Sequence, residues 1–157
     1  MWQTNTLTPA HEHFISNLIS QKIQINIEKI QQNLLVDDSS VYVLFLPENE
    51  IHELGLMYLN YELSLRSKKT IYLGQSIPLD NLNSLLTMFT KIKFISSFTV
   101  APDDSIINDY LNNIDIKLKD SNHQFWAFGN RTQNLNTNVY KTRFLFYKSL
   151  IDLLKDL

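Results

Sequence analysis

Cysteine is absent from this chain of 157 residues, and glycine occurs only three times. Without cysteine, the chain has no disulfide framework, no thiolate ligands for zinc or an iron–sulfur cluster, and no thiol nucleophile. The sequence also contains no glycine-rich loop that would cradle a phosphate, no Ser–His–Asp set and no carboxylate pair of the glycosidase kind. These absences remove the commonest catalytic and metal-binding arrangements.

Long apolar runs and basic clusters are missing as well. No apolar run approaches the ~20 residues of a membrane span, and the opening MWQTNTLTPA lacks the basic-then-apolar order of a signal peptide. We therefore expect a cytoplasmic protein with no membrane partner. A net charge of −2 without a Lys/Arg cluster argues against direct nucleic-acid binding by this chain. The hydrophobic content of 44% suits one domain with a good core and a small helical appendage.

Residues 8–35 have the pattern of one long helix. Thr8 is a suitable N-cap, and Pro9 fits the first helical position. An apolar stripe recurs at helical spacing beside a second apolar flank, so we expect this helix to be covered on more than one side. The stripe consists of Ile15, Ile19, Ile23, Ile27, Ile30 and Leu34, and the flank consists of Phe14, Leu18 and Ile25.

From residue 41 onward, short strands and helices alternate. This alternation indicates right-handed crossovers and an α/β fold, namely a flavodoxin-like (Rossmann-like) open parallel sheet of about five strands with helices on both faces. Strands are predicted at 41–47, 69–74, 91–100, 123–130 and, briefly, 139–141, and helices at 54–67, 80–89, 105–119 and 143–157.

Ligands of such sheets bind beyond the carboxyl ends of the strands, at the point where the strand order reverses. The loops that follow the first, third and fourth predicted strands therefore form the candidate site. Their sequences are ENEIHELG, SSFTVAP and FGNRT.

The first of these loops carries EIHELG, residues 50–55. A neutral imidazole can ligate a metal through one nitrogen while the other donates to a carboxylate, and Glu50 is a candidate acceptor for His52. Gly55 would let a bulky ligand lie close to the backbone. The same residues also fit an ordinary helix start, with Asn49 as cap and the glutamates favoured by the helix dipole. Because one histidine cannot hold a metal ion alone, a metal site here requires a metal that arrives inside a cofactor.

The spacing Glu50-x-His52-x-x-Gly55 after a buried strand resembles the Asp/Glu-x-His-x-x-Gly motif of cobalamin-binding domains. The resemblance implies that His52 replaces the benzimidazole base of the cofactor as the lower axial ligand to cobalt. It also implies that the displaced nucleotide tail lies between the sheet and the first helix of the α/β domain.

Two further marks of that family are a Ser-x-Leu at the end of the third strand and a Gly-Gly at the end of the fourth. Ser96-Ser97-Phe98-Thr99 and Gly129-Asn130 stand at these places and match in part. The resemblance implies that a serine hydroxyl, of Ser96 or Ser97, bonds a benzimidazole nitrogen and that Gly129 gives the tail clearance. Strand-end hydrogen bonding and a turn are the alternative roles for these residues.

Trp2, nine intervening residues, and then Glu12 and His13 resemble the Trp-x9-Glu-His motif of cobalamin-dependent MerR-family transcription regulators, which include photoreceptors. In that family a four-helix-bundle cap covers the upper face of adenosylcobalamin, so the resemblance places these three residues around the adenosyl group. On a helical projection, Glu12 falls on the apolar stripe, where a carboxylate needs a polar partner. His13 falls on the polar side with Asn17 and Ser20, where the pattern alone leaves it in solvent.

The resemblance implies a helical cap in residues 1–38, a cobalamin-binding α/β domain in residues 39–157, and a sensory role without enzymatic activity. It implies a homo-oligomer that binds DNA only through a helix-turn-helix domain absent from this chain, so we expect a fragment of a longer regulator. Gln3 stands where some light-sensing members have a histidine, which argues against a photoproduct with two histidine ligands.

Two other functions remain open. A corrinoid-carrier domain of a methyltransferase system would share the fold and the lower histidine, but has no need of the Trp…Glu-His set. A degenerate module could keep the fold and regulate through protein contacts without a cofactor. Among the other histidines, His11 is not expected to form a metal site with His13, because residues two apart diverge on a helix. His123 is expected to be a surface or structural residue.

Overall fold

The computed structural model describes residues 8–32, 37–133, 135, 137–140 and 142–157, with the side chains of 37, 38 and 138 excepted. Trp2, Gln3 and Leu34 therefore lie outside the described residues. The first helix, α1 (Pro9–Gln31), begins where the sequence predicted. The hydroxyl of Thr8 accepts a hydrogen bond from the His11 backbone N–H at 3.4 Å, and Pro9 occupies the first turn.

The α/β part is a five-stranded parallel sheet with the strand order β2-β1-β3-β4-β5. This order confirms the predicted flavodoxin-like fold class, and it places the switch point between β1 and β3. The strands are β1 (Asp37–Pro47), β2 (Lys68–Ile77), β3 (Ile92–Ser97), β4 (Gln124–Phe128) and β5 (Phe144–Tyr147). The helices are α2 (Leu54–Leu65), α3 (Asn83–Met88), α4 (Ile107–Lys117) and α5 (Leu150–Lys155), and short 3-10 turns span Leu79–Leu82, Asn130–Thr132 and Thr137–Val139.

The last part of the chain differs from the prediction. The predicted helix over 143–157 is in fact strand β5 followed by the short helix α5, and the predicted strand at 139–141 is wrong, since Thr137–Val139 forms a 3-10 turn. The run FLFY is too short to have a diagnostic period, so pairing decides its structure. It pairs with β4 from Phe125↔Phe144 to Phe128↔Tyr147. Helix α5 then begins at its own cap, Ser149, whose hydroxyl accepts from the Asp152 N–H.

Two apolar layers cover the sheet. One layer joins α3 and α4 to inward-facing residues of the strands, such as Val43 and Phe94, and the other joins α2 and α5 to the opposite face at Leu44 and Ile95. This alternation along each strand is the expected consequence of the two-residue period of β structure. Within the described part of the chain, no helix is long and apolar enough to cross a membrane.

Helix α1 lies outside these two layers and packs against α2. Ile27 is its single buried residue among those described. The flank of Phe14, Leu18 and Ile25 is exposed, by 64%, 43% and 46%. The expectation that α1 is covered on more than one side is therefore wrong for this chain. The division into residues 1–38 and 39–157 stays a prediction.

Candidate functional site

The candidate site is built around the loop that joins β1 to α2. Strand β1 ends at Pro47 and α2 begins only at Leu54, so Glu50 and His52 belong to a loop and not to a helix. Asn49 has a positive φ of 66° and lies well before the helix, and Glu53 occupies the capping position without a side-chain cap bond. The alternative of a helix start capped by Asn49 is therefore wrong.

Glu50 is fully buried beneath this loop, with 0% of its surface exposed. Its Oε2 accepts hydrogen bonds from the backbone N–H groups of residues 99–101, at 3.0, 2.7 and 3.0 Å. Its Oε1 accepts from the backbone N–H groups of residues 51 and 52, both at 3.0 Å. One carboxylate thus ties the loop after β1 to the loop after β3, across the switch point of the sheet.

These hydrogen bonds determine the charge state of Glu50. Burial alone would raise the pKa of its carboxyl, because a buried charge loses its hydration. The backbone N–H groups of Ala101, Val100 and His52, together with the His52 side chain, outweigh that effect and lower the pKa to about 2. Glu50 is therefore an anion throughout the physiological pH range.

The imidazole of His52 is oriented by this anion. Its Nδ1 lies 2.6 Å from Glu50 Oε1. Because the carboxylate can only accept, Nδ1 carries the shared hydrogen, and the neutral form of the ring then has its lone pair on Nε2. The side chain is 51% exposed, and among the described residues Nε2 has no hydrogen-bond partner. An imidazole held by a carboxylate with its other nitrogen free has the arrangement of a metal-ligating histidine.

His52 lines a cleft of about 690 Å³. One wall of the cleft is α1, and the other consists of the loops at the carboxyl edge of the sheet and the start of α2. The cleft is lined by Glu12, His13, Ser16, Asn17, Ser20, Ile51, His52, Glu53, Leu54, Gly55, Gln75, Ser97, Thr99, Phe128, Gly129 and Asn130.

The cleft brings together most of the site residues that the sequence predicted. Those that line it are Glu12, His13, His52, Gly55, Ser97 and Gly129, while Glu50 lies beneath His52.

Ser96, another predicted site residue, lies away from the cleft. It pairs in register with Phe45 and Ala127, which both belong to the α3/α4 layer, so its side chain lies on the opposite face of the sheet from Ser97. Its hydroxyl is buried and has no hydrogen-bond partner among the described residues.

The two glycines of the cleft differ in what the protein requires of them. At Gly129 a Cβ would lie 2.6 Å from the carbonyl oxygen of Phe98, and φ is +116°, so the backbone itself demands glycine. At Gly55 a Cβ would meet only Phe128 Cε2, at 3.8 Å, which is an ordinary contact. A methyl group would therefore fit at Gly55, and the protein's own packing does not require glycine there.

Below the cleft, the space between α2 and the sheet is filled by side chains of the protein. Phe128 borders Gly55 and is 4% exposed, and the space between α2 and the sheet is filled by fully buried leucines, including Leu44, Leu56 and Leu59. The resemblance places a nucleotide tail in this layer. A tail could enter only if these side chains moved, whereas the cleft above them is open.

Helix α1 turns polar side chains toward the cleft. Ser16, Asn17 and Ser20 join Glu12 and His13 on the cleft wall. Asn17 and Ser20 share the polar stripe of His13 in the helical projection, so the sequence already indicated that they lie beside His13. Asn130 belongs to the loop FGNRT, which was already part of the candidate site, whereas no pattern in the sequence pointed to Gln75 at the end of β2.

The other two histidines lie outside the cleft. His11 is on α1, where Nδ1 lies 3.1 Å from the Thr8 hydroxyl. His123 is buried, and its Nδ1 accepts a hydrogen bond from the Ile92 backbone N–H at 3.0 Å. Burial lowers its pKa against an opposing contribution from the Leu86 backbone, so a neutral, structural role is confirmed. Within the described part of the chain, no three His, Asp or Glu residues lie close enough to hold a bare metal ion.

No family model and no curated protein sequence matches this chain. Its fold is similar to that of several solved structures. The Methanosarcina barkeri monomethylamine corrinoid protein superposes with a TM-score of 0.62 at 13% identity, covering 89% of this chain and 62% of that one. The methanol:cobalamin methyltransferase complex of the same organism gives 0.54 at 12% identity, covering 73% and 43%.

A cobalamin-binding protein from Desulfitobacterium hafniense gives a TM-score of 0.50 at 16% identity, covering 94% of this chain and 71% of that one. At these identities the likeness shows the shared fold. The chain spans less than two thirds of the length of the first two proteins.

Proposed function

We propose that this chain is a corrinoid-binding domain that holds cobalamin in the cleft, with His52 as lower axial ligand. The observation that carries this proposal is the His52 imidazole, fixed through Nδ1 by the buried Glu50 anion while Nε2 is free in the cleft. The presence of glycine at position 55, where the protein's own packing does not require it, and the names of the solved structures with this fold support it.

Bound cobalamin would supply a cobalt ion, which His52 would hold, and, in its adenosyl form, a light-sensitive cobalt–carbon bond. The protein would orient the ligating imidazole and select the kind of metal complex that binds. Glu50 keeps the His52 ring in one tautomer and one orientation, and makes it a better donor. Because no three ligating side chains cluster within the described part of the chain, the site fits a metal that is already coordinated by a macrocycle.

We further propose that the cofactor is adenosylcobalamin and that the domain is a sensor of a MerR-type regulator, not an enzyme. Glu12 and His13 line the wall of the cleft opposite His52. A ligand in the cleft contacts both α1 and the β1 loop, so it stabilises their relative placement. That placement would set homo-oligomerisation, and hence DNA binding by a helix-turn-helix domain, through differential affinity of the ligand for the two assembly states.

A second candidate function is a corrinoid carrier for a methyltransferase. Two of the structures with this fold are a monomethylamine corrinoid protein and a methanol:cobalamin methyltransferase complex. A carrier must expose the upper face of the corrin to a partner enzyme. Helix α1 has one buried residue among those described, Ile27, so its displacement would uncover little core.

The test of corrinoid binding is a spectroscopic titration in the dark, with His52→Ala beside the wild type. We expect the wild type to bind adenosylcobalamin with a spectrum of histidine ligation, and His52→Ala to lose that spectrum and about 10- to 100-fold in affinity. His11→Ala is the matched control, since His11 is also exposed but lies outside the cleft. Wild-type protein that elutes without corrinoid absorbance after incubation would rule out the proposal.

Two further ligands, methylcobalamin and cobinamide, distinguish a sensor from a carrier and test where the nucleotide tail lies. A sensor should prefer adenosylcobalamin to methylcobalamin and change its oligomeric state after illumination, whereas a carrier should accept both and remain unchanged. Cobinamide, which lacks the nucleotide tail, reports on the closed layer beneath Phe128. If the tail enters that layer, cobalamin will bind more tightly than cobinamide.

A further inference from the structure

The charged side chains in the cleft are all of one sign. Glu12 and Glu53 line it, and Glu50 lies just below. Neither Lys nor Arg occurs among the residues that the structure places on its walls. The neighbouring cation, Arg131, lies 2.7 Å from Asp104 and 3.8 Å from Asp103 and is compensated there. The cleft therefore has a negative potential and disfavours anionic groups.

Of the two glutamates that line the cleft, Glu53 is the one held in place by hydrogen bonds. Its Oε2 accepts a hydrogen bond from the Tyr72 hydroxyl at 2.9 Å, and its Oε1 accepts from Gln75 Nε2 at 2.6 Å. A carboxylate has about four lone-pair directions, and these two bonds leave the others for a donor in the cleft. Glu12 differs, because it is exposed and its side chain has no hydrogen-bond or ion-pair partner among the described residues.

From this arrangement we infer that Glu53 makes the cleft selective for corrinoids whose peripheral side chains are carboxamides, and against those that carry a carboxylate at the contacted position. This inference rests on the proposed corrinoid binding. The side chains at the edge of the corrin ring are carboxamides in the complete cofactor and carboxylates in incompletely amidated forms. A carboxamide N–H can donate to Glu53 and its oxygen can accept from Gln75, whereas a carboxylate offers no donor.

The discrimination has two physical sources. A carboxylate placed against Glu53 brings two like charges together in a partly buried site, where the repulsion is larger than in bulk water. It also leaves the free lone pairs of Glu53 without a donor while excluding water from them. Together these effects correspond to a loss of affinity of about 10-fold or more for the isomer whose carboxylate faces Glu53.

The experiment compares adenosylcobalamin with its monocarboxylate isomers, in each of which one peripheral propionamide has been hydrolysed. Dissociation constants are measured at pH 7 for the wild type, Glu53→Gln and Glu12→Gln. We expect at least one isomer to bind the wild type about 10-fold more weakly than adenosylcobalamin. Glu53→Gln, which can donate to a carboxylate, should reduce that ratio to below about 3-fold, while Glu12→Gln should leave it near the wild-type value.

The possible failures are distinguishable. If the wild type binds all isomers within about 3-fold of adenosylcobalamin, the selectivity is refuted while corrinoid binding stands. If Glu12→Gln removes the discrimination and Glu53→Gln does not, the assignment to Glu53 is wrong. If adenosylcobalamin itself does not bind, the proposed function fails and this inference fails with it. The urea midpoint of Glu53→Gln, expected to match the wild type, shows whether the variant is folded.

Discussion

The two walls of the cleft are made in opposite ways. On the sheet side, Glu50 is completely buried and accepts hydrogen bonds from two loops, which fixes His52 before any ligand arrives. On the α1 side, Glu12 and His13 are exposed, and their side chains have no hydrogen-bond partner among the residues described. The sheet side, which we call the lower wall, is thus held by contacts of the fold itself. The α1 side, the upper wall, consists of exposed side chains on a helix with one buried residue among those described.

Because of this difference, substitutions in the two walls should affect different properties, namely the stability of the fold and the affinity for ligand. Changes that remove native contacts of the lower wall, such as those of Glu50, should destabilise the protein in the absence of ligand. Changes in the upper wall should be silent until a ligand occupies the cleft. Substitutions in each wall test this contrast, and we expect their effects on the free energy of unfolding to decrease in the following order.

The largest effect is expected for Glu50→Ala. The substitution leaves the backbone N–H groups of residues 51, 52 and 99–101 without their acceptor, and unpaired buried donors are costly. We expect a loss of about 3–5 kcal/mol, as for removal of one partner from a buried charged network. Urea denaturation measures it, with Glu12→Ala as the matched control, expected within about 0.5 kcal/mol of wild type. A loss below about 1 kcal/mol for Glu50→Ala would contradict the structural role.

The next effect is on acid stability. The pKa of Glu50 is lowered from 4.5 to about 2 in the folded protein, so its carboxylate stabilises the fold fully above about pH 4.5. As the pH falls from there through about 2, protonation removes that contribution, which amounts to about 3 kcal/mol. The free energy of unfolding of wild type should therefore decline over this range more steeply than that of Glu50→Gln. Parallel pH profiles for the two proteins would show that another group is responsible.

A third prediction compares the two glycines of the lower wall. Gly129→Ala should cost about 2 kcal/mol or more, because its Cβ would lie 2.6 Å from a backbone oxygen at a φ of +116°. Gly55→Ala should be neutral or stabilising by about 0.5 kcal/mol, since it lies in the first turn of α2 with room for a methyl group. Corrinoid titration should nevertheless show weaker binding to Gly55→Ala. Equal thermal shifts for both variants would refute the distinction.

How much of this could be read from the sequence depends on how local each feature is. The Glu50–His52 contact joins residues two apart in one loop, and the alternation of strands and helices located that loop at the switch point. The bonds from Glu50 to residues 99–101 join two distant loops, so no local pattern could reveal them. The same limit hid β5, whose identity depends on pairing with β4.

The orientation of α1 shows a different limit. Its helical period was correctly predicted, and a projection assigned His13, Asn17 and Ser20 to one polar stripe. A projection defines the faces of a helix but not what each face contacts. The apolar stripe is partly covered, with Ile27 buried, but the flank with Phe14 and Leu18 is exposed and the polar stripe faces the cleft.

The smallest effect on stability is expected for His13→Ala, and here the contrast between the walls is sharpest. Because the His13 side chain is exposed and makes no hydrogen bond within the described structure, its removal should change the free energy of unfolding by less than about 0.5 kcal/mol. Its affinity for adenosylcobalamin should still fall several-fold while that for methylcobalamin is unchanged, if the upper wall contacts the adenosyl group. Paired titrations of wild type, His13→Ala and His11→Ala measure this. An equal loss for both cobalamins would mean that His13 contacts the corrin ring itself, and no loss for either would mean that the upper wall takes no part in binding.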